Sequence, residues 1–127
     1  MRVVLLYDGT ENEERAYIEI FKFYCNEHNI EFLHDQIYNT YKLNFREDDI
    51  VFFDMGALAY RGLGNNFSVM RNTLYLIRRI YKKVKKIYLI TKENLMRYAL
   101  EDDFLKQFDK FFEYVDLSKY NFGKFIE

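Results

Sequence analysis

Short apolar blocks alternate along the chain with longer stretches in which apolar and charged residues interleave. Val3 to Tyr7, Ile50 to Phe53 and Ile87 to Ile90 are uninterrupted runs, rich in branched or aromatic residues and bounded by charged or turn-forming ones. Such runs suit parallel strands buried on both faces. Ile30 to Leu33 reads as a further strand, and Phe112 to Val115 as a fifth at an edge. From Glu13 to His28, Tyr17, Ile20, Phe21 and Tyr24 make one helical stripe, with Arg15, Glu19, Lys22 and Asn26 opposite. From about Phe67 to Val84 a second stripe runs through Met70, Thr73, Leu74, Ile77, Ile80, Tyr81 and Val84. Lys82, Lys83, Lys85 and Lys86 crowd its end, where the helix dipole favours cations. The stretch between Leu33 and Ile50 leaves room for a short helix or none.

Strands alternating with helices imply right-handed crossovers and a parallel sheet covered on both sides. The expected fold is therefore α/β, a three-layer doubly wound sheet with a final helix that is short or absent; 2-1-3-4-5 is the expected one of the two strand orders common in such sheets. With 127 residues the chain is expected to be one domain, 1-127. After the fifth strand, Phe122, Phe125 and Ile126 must fold back over the first helix's side of the sheet, or a second subunit must cover that surface. A homodimer is the expectation.

Composition narrows the chemistry. The longest apolar runs, such as VVLLY and IVFF, fall far short of the roughly twenty residues that span a bilayer. The brief apolar run before Asp8 lacks the length and cleavage site of a signal peptide, so a soluble cytoplasmic chain without membrane contact is expected. The lone Cys25 lies on an apolar helical face and reads as a buried, inert thiol. His28 and His34 have no Cys or His partners at metal spacing, so no zinc site is expected. Net charge is -1 but uneven: residues 1 to 54 hold 5 basic and 12 acidic groups, whereas residues 55 to 92 hold 9 basic and none acidic. Arg71, Arg78, Arg79, Lys82 and Lys83 give the second helix a basic face that could dock an acidic protein or a second copy, with nucleic acid the weaker match because no recognition pattern interleaves.

A doubly wound sheet binds ligands at the carboxyl ends of its strands, beside the point where strand order reverses. That gathers three loops: Asp8 to Asn12, Asp54 to Asn66, and Thr91 to Asn94. In the first, Thr10-Glu11-Asn12-Glu13 fits a capping box, with the Thr10 hydroxyl and Glu13 carboxylate exchanging bonds with each other's amides. Glu11, Glu13 and Glu14 would then complement the positive end of the helix dipole. The second loop holds Gly56, Gly62 and Gly64, which would let backbone approach a ligand, together with Tyr60 and Arg61. Those glycines serve equally as turns in a long connection. In the third, Thr91 and Lys92 could face a ligand, or Thr91 could cap a helix.

Residues 2 to 95 resemble the flavodoxins. A strand ending at Tyr7 is followed by Asp8-Gly9-Thr10-Glu11-Asn12-Glu13-Glu14 and a helix, where flavodoxins carry Ser/Thr-x-Thr-Gly-Asn-Thr. Asp49-Ile-Val-Phe-Phe, a glycine-containing loop with Tyr60, a helix and Lys86-Ile-Tyr-Leu-Ile follow the same layout. It is nearer still to the small flavodoxin-like activator of manganese-dependent ribonucleotide reductase. The resemblance implies an electron-transfer protein binding FMN, with Gly9, Thr10 and Asn12 at the phosphate, Tyr60 stacked on the ring, and Gly56, Gly62, Thr91 and Lys92 around it. Glu11 and Glu13 depart from the pattern. At about 6 Å each carboxylate would cost a phosphate dianion roughly 0.7 to 3 kcal/mol, so binding requires outward-turned glutamates and compensation from Arg61 or Lys92. Inward-turned glutamates would instead indicate a cofactor-free interaction or regulatory module whose phosphate loop has degenerated. Asp8, Asp54 and Thr91 also resemble the phosphoacceptor arrangement of receiver domains, with Asp54 as acceptor, although Gly9 stands where a second acid would help hold a metal ion.

Overall fold

The computed structural model describes residues 1–55, 67–90, 96–97, 100–115 and 123–126. Five strands, β1 (Arg2–Tyr7), β2 (Glu31–Gln36), β3 (Asp49–Asp54), β4 (Lys86–Ile90) and β5 (Glu113–Val115), form one parallel sheet in the order β2-β1-β3-β4-β5. The helices are α1 (Arg15–Glu27), α2 (Phe67–Ile80), α3 (Asp102–Leu105) and α4 (Gly123–Ile126). The α/β class, the strand order and the short final helix all match the apolar pattern, and the layout is consistent with a flavodoxin-like sheet.

Every residue of β1 and β3 is buried, which is why both read as unbroken apolar runs with no alternation. Successive side chains point to opposite faces, so the two runs supply two cores. On one face Val4, Leu6, Val51, Phe53, Ile87 and Leu89 pack under Met70, Leu74 and Ile77 of α2. On the other, Val3, Leu5, Ile50, Phe52 and Ile90 pack under Ile18, Phe21 and Cys25 of α1, with Phe21 edge-on to Phe52 at 4.9 Å between ring centres. The centre of the α1 stripe therefore lies one position beyond the one the sequence suggested. Tyr17, Ile20 and Tyr24 flank it, partly buried, since tyrosine packs its ring and keeps its hydroxyl wet.

The crossover from β2 to β3 carries only a 3-10 helix, Ile37–Lys42. At the end of the chain, Ile126 is 3 % exposed and joins Ile90 and Val115 in the core beneath α1. For this residue the fold-back expectation holds; Phe122 and the Phe125 side chain lie outside the described residues.

The amino ends of the strands are closed by a buried ion pair. Arg2 donates from Nε and Nη2 to the two carboxylate oxygens of Asp49, both at 2.8 Å, and Asp49 also accepts from the Arg46 amide at 2.8 Å. Asp49 is fully buried, and its carboxylate raises the Arg2 guanidinium above its ordinary value. A buried charge requires such compensation. No helix among the described residues is long and apolar enough to cross a membrane.

Candidate functional site

Tyr7, Gln36, Asp54 and Ile90 form the last row of β1, β2, β3 and β4, since Tyr7 registers with Gln36 and Asp54, and Asp54 with Ile90. Above this row the chain leaves β1 at Asp8 and Gly9 and turns into α1. Gln36 anchors the turn by donating its side-chain amide to the Gly9 carbonyl at 2.9 Å. The capping box forms as its residue types require: the Thr10 amide donates to Glu13 Oε1 and the Glu13 amide to Thr10 Oγ1, both at 3.2 Å. The Glu14 amide donates to the Thr10 carbonyl at 3.1 Å. Thr10 and Asn12 are exposed, and Asn12 Oδ1 accepts from Arg15 at 3.5 Å.

Glu14 is the residue that decides the character of the crevice. It stands four residues before Ile18, and the spacing 14, 18, 21, 25 places it on the buried stripe of α1. Only 7 % exposed, its carboxyl is hydrogen-bonded to Asp54, itself 3 % exposed at the end of β3. Burial, then the bond to Asp54 and its charge, with smaller contributions from Glu13 and Asp8, push the Glu14 carboxyl up to about 8. The pair thus holds one proton near neutrality, because two adjacent buried carboxylates cannot both stay ionised. A Cβ placed on Gly9 would lie 2.8 Å from Glu14 Oε1, so the space that glycine leaves open is taken by this carboxyl. Beside it, the Tyr7 hydroxyl meets His34 Nδ1 at 3.1 Å. Burial first, and the charges of Glu11, Asp35 and Glu14 after it, raise that phenol to about 12.

The residues around Gly9, Thr10 and Asn12 do not fit a flavin phosphate. The Thr10, Glu13 and Glu14 amides already donate within the loop; Glu11 and Glu13 are exposed, whereas Glu14 turns inward against Asp54, and an inward carboxyl there opposes a dianion. Gly56, Tyr60, Arg61, Gly62, Thr91 and Lys92 lie outside the described residues. For the receiver-like arrangement, Asp8 and Asp54 do end adjacent strands, and Asp54 is engaged by Glu14. Among the described residues no three His, Cys, Asp or Glu side chains are grouped to hold a metal ion. Cys25 is 1 % exposed and burial pushes its thiol up to about 11, so it is inert, as expected.

Compared with protein-family models, curated proteins and solved structures, the chain finds no match. Its chemistry must be read from its own geometry.

The basic residues of α2 divide into two groups. Arg71 lies over the Phe104 ring at 5.1 Å, and Arg78 over Tyr75 and Phe108 at 5.1 and 5.6 Å, on the flank facing α3. Arg79 and Lys83 are on the opposite flank, where they line a groove of about 600 Å³ between α2 and the Ile37–Lys42 turn. The sequence showed both groups as one basic face and did not show the groove; it left the orientation of the loop glutamates open, and the one that turns inward is Glu14, with Glu11 and Glu13 exposed. The spacing from Glu14 to Ile18 was the one available signal for that inward turn.

Proposed function

We propose that this chain is a cofactor-free interaction or regulatory module built on a flavodoxin-like sheet, and not an electron carrier. The observation that carries the reading is the Glu14 carboxyl, buried against Asp54 and filling the space above Gly9. A site shaped for an anion presents unpaired amides and positive potential. Here the described loop presents carboxylates, and its Thr10, Glu13 and Glu14 amides are bonded within the turn. The described turn from Thr10 to Glu14 thus spends these amides on itself, which favours the molecular surface as the part available for recognition. Absorption spectroscopy tests the reading directly. The purified protein, mixed with excess FMN and desalted, should show no flavin bands; bands that survive desalting and fade in Thr10→Ala would restore the electron-transfer function.

A further inference from the structure

A crossover between parallel strands of one sheet ordinarily carries a helix that covers the sheet. Between β2 and β3 this chain supplies six residues of 3-10 helix instead, and a groove of about 600 Å³ remains beside α2. Its α2 wall is a second stripe of the helix, Val69, Thr73, Leu76 and Ile80, adjacent to the stripe of Met70, Leu74 and Ile77 that faces the sheet. Leu43 and Phe45, both half-buried, line the other side. Of the six large apolar or aromatic side chains exposed among the described residues, three line this groove: Tyr38 at 67 %, Tyr41 at 79 % and Val69 at 36 %. Such clustering marks a recognition surface, since isolated exposed apolar residues are ordinary.

Charge selects the occupant. Arg79 and Lys83 at one end form no ion pair and no ring contact among the described residues, unlike Arg71, Arg78 and Lys82. Asp8 lines the opposite end. From Val69 to Ile80 the stripe runs roughly 16 Å, the length of about three helical turns. We propose that the groove takes an acidic amphipathic α-helix of a partner protein. Its apolar stripe lies on Val69, Leu76 and Phe45, and its carboxylates gather at the end near Arg79 and Lys83. This is helix-in-groove recognition at the place where the crossover helix is missing. A second copy of the chain matches less well, because the outer arc of α1 mixes Arg15 and Lys22 with Glu19 and Glu27.

The proposal rests on the interaction-module reading, and selection from a displayed library of helical peptides separates the two. The library fixes a Leu/Ile stripe and randomises the polar arc among Glu, Lys, Gln and Ser. Selected on the whole protein, it should yield sequences with glutamates concentrated at one end. Arg79→Glu combined with Lys83→Glu should weaken the enriched peptide roughly tenfold or more, as should Leu76→Asp, while Arg71→Glu leaves affinity within about twofold. No enrichment over a control protein, enrichment without acidic bias, or indifference to Arg79 and Lys83 would overturn the groove assignment. So would a dimer in sedimentation that the same charge reversals split, or a labelled single-stranded oligonucleotide whose binding they abolish. Peptides that bind strongly elsewhere on the surface defeat the groove alone, whereas retained flavin defeats the module reading and leaves the peptide result standing.

Discussion

At the scale of single residues, the shared proton between Glu14 and Asp54 has a thermodynamic signature with a definite sign. Glu14 ordinarily titrates near 4.5 and in the folded chain near 8, so between those values the native state holds a proton that the unfolded chain has released. Stability then falls as pH rises through this window, with a limiting slope of roughly 1.4 kcal/mol per pH unit. Below about 4.5 both states carry the proton and the dependence from this group vanishes. Glu14→Gln keeps a donor to Asp54 and removes the titration, so its melting temperature should stay level across the window while that of the parent declines. Equal decline in both proteins would assign the effect to another group. The Thr10–Glu13 capping box was readable in the sequence because its partners are three residues apart. The Glu14–Asp54 pair was not, because its partner lies forty positions away and only sheet register brings it near.

The elements show what periodicity does and does not encode. Strands β1, β3 and β4 were legible because burial on both faces leaves no polar position in their interiors, and the polar residues they hold, Arg2, Asp49, Asp54 and Lys86, stand at their ends. On α1 the flanking tyrosines, apolar by count yet partly wet, drew the apparent stripe away from Ile18 and Cys25 and so left Glu14 on what looked like the solvent side. The start of α1 offers a direct check. Thr10→Ala removes the hydroxyl that accepts the Glu13 amide in an exposed turn, and should cost about 1 kcal/mol in urea unfolding. Because that amide would then turn to water, flavin affinity should stay absent; a gain of FMN binding in this variant would mean that the capping box had been masking a phosphate site.

For the whole molecule, the parallel sheet followed from the alternation of elements and its strand order from the flavodoxin-like layout; the shortness of the β2–β3 connection was legible, but the groove beside α2 was not, because its walls come from separate elements that only the fold brings together. The central position of β1 and β3 predicts the order of local opening. Their amides should exchange slowest, at rates set by global unfolding, and those of the three-residue edge strand β5 much faster. Comparable protection in β5 would point to a further element shielding that edge.

The two ends of the sheet answer the same electrostatic problem differently. Asp49 is neutralised by Arg2, a charge built into the chain and present at every pH at which the protein folds. At the other end the charge beside Asp54 is lessened by a proton taken from solvent and held by Glu14. One end is therefore permanent and the other conditional. As the surroundings become more alkaline, the Glu14–Asp54 pair gives up that proton and its negative charge grows, and the turn carrying Gly9 and Thr10 stands beside it. Near neutral pH it is thus at the Glu14 edge that a change in acidity alters a buried charge, while the buried Arg2–Asp49 pair at the opposite edge keeps its own compensation.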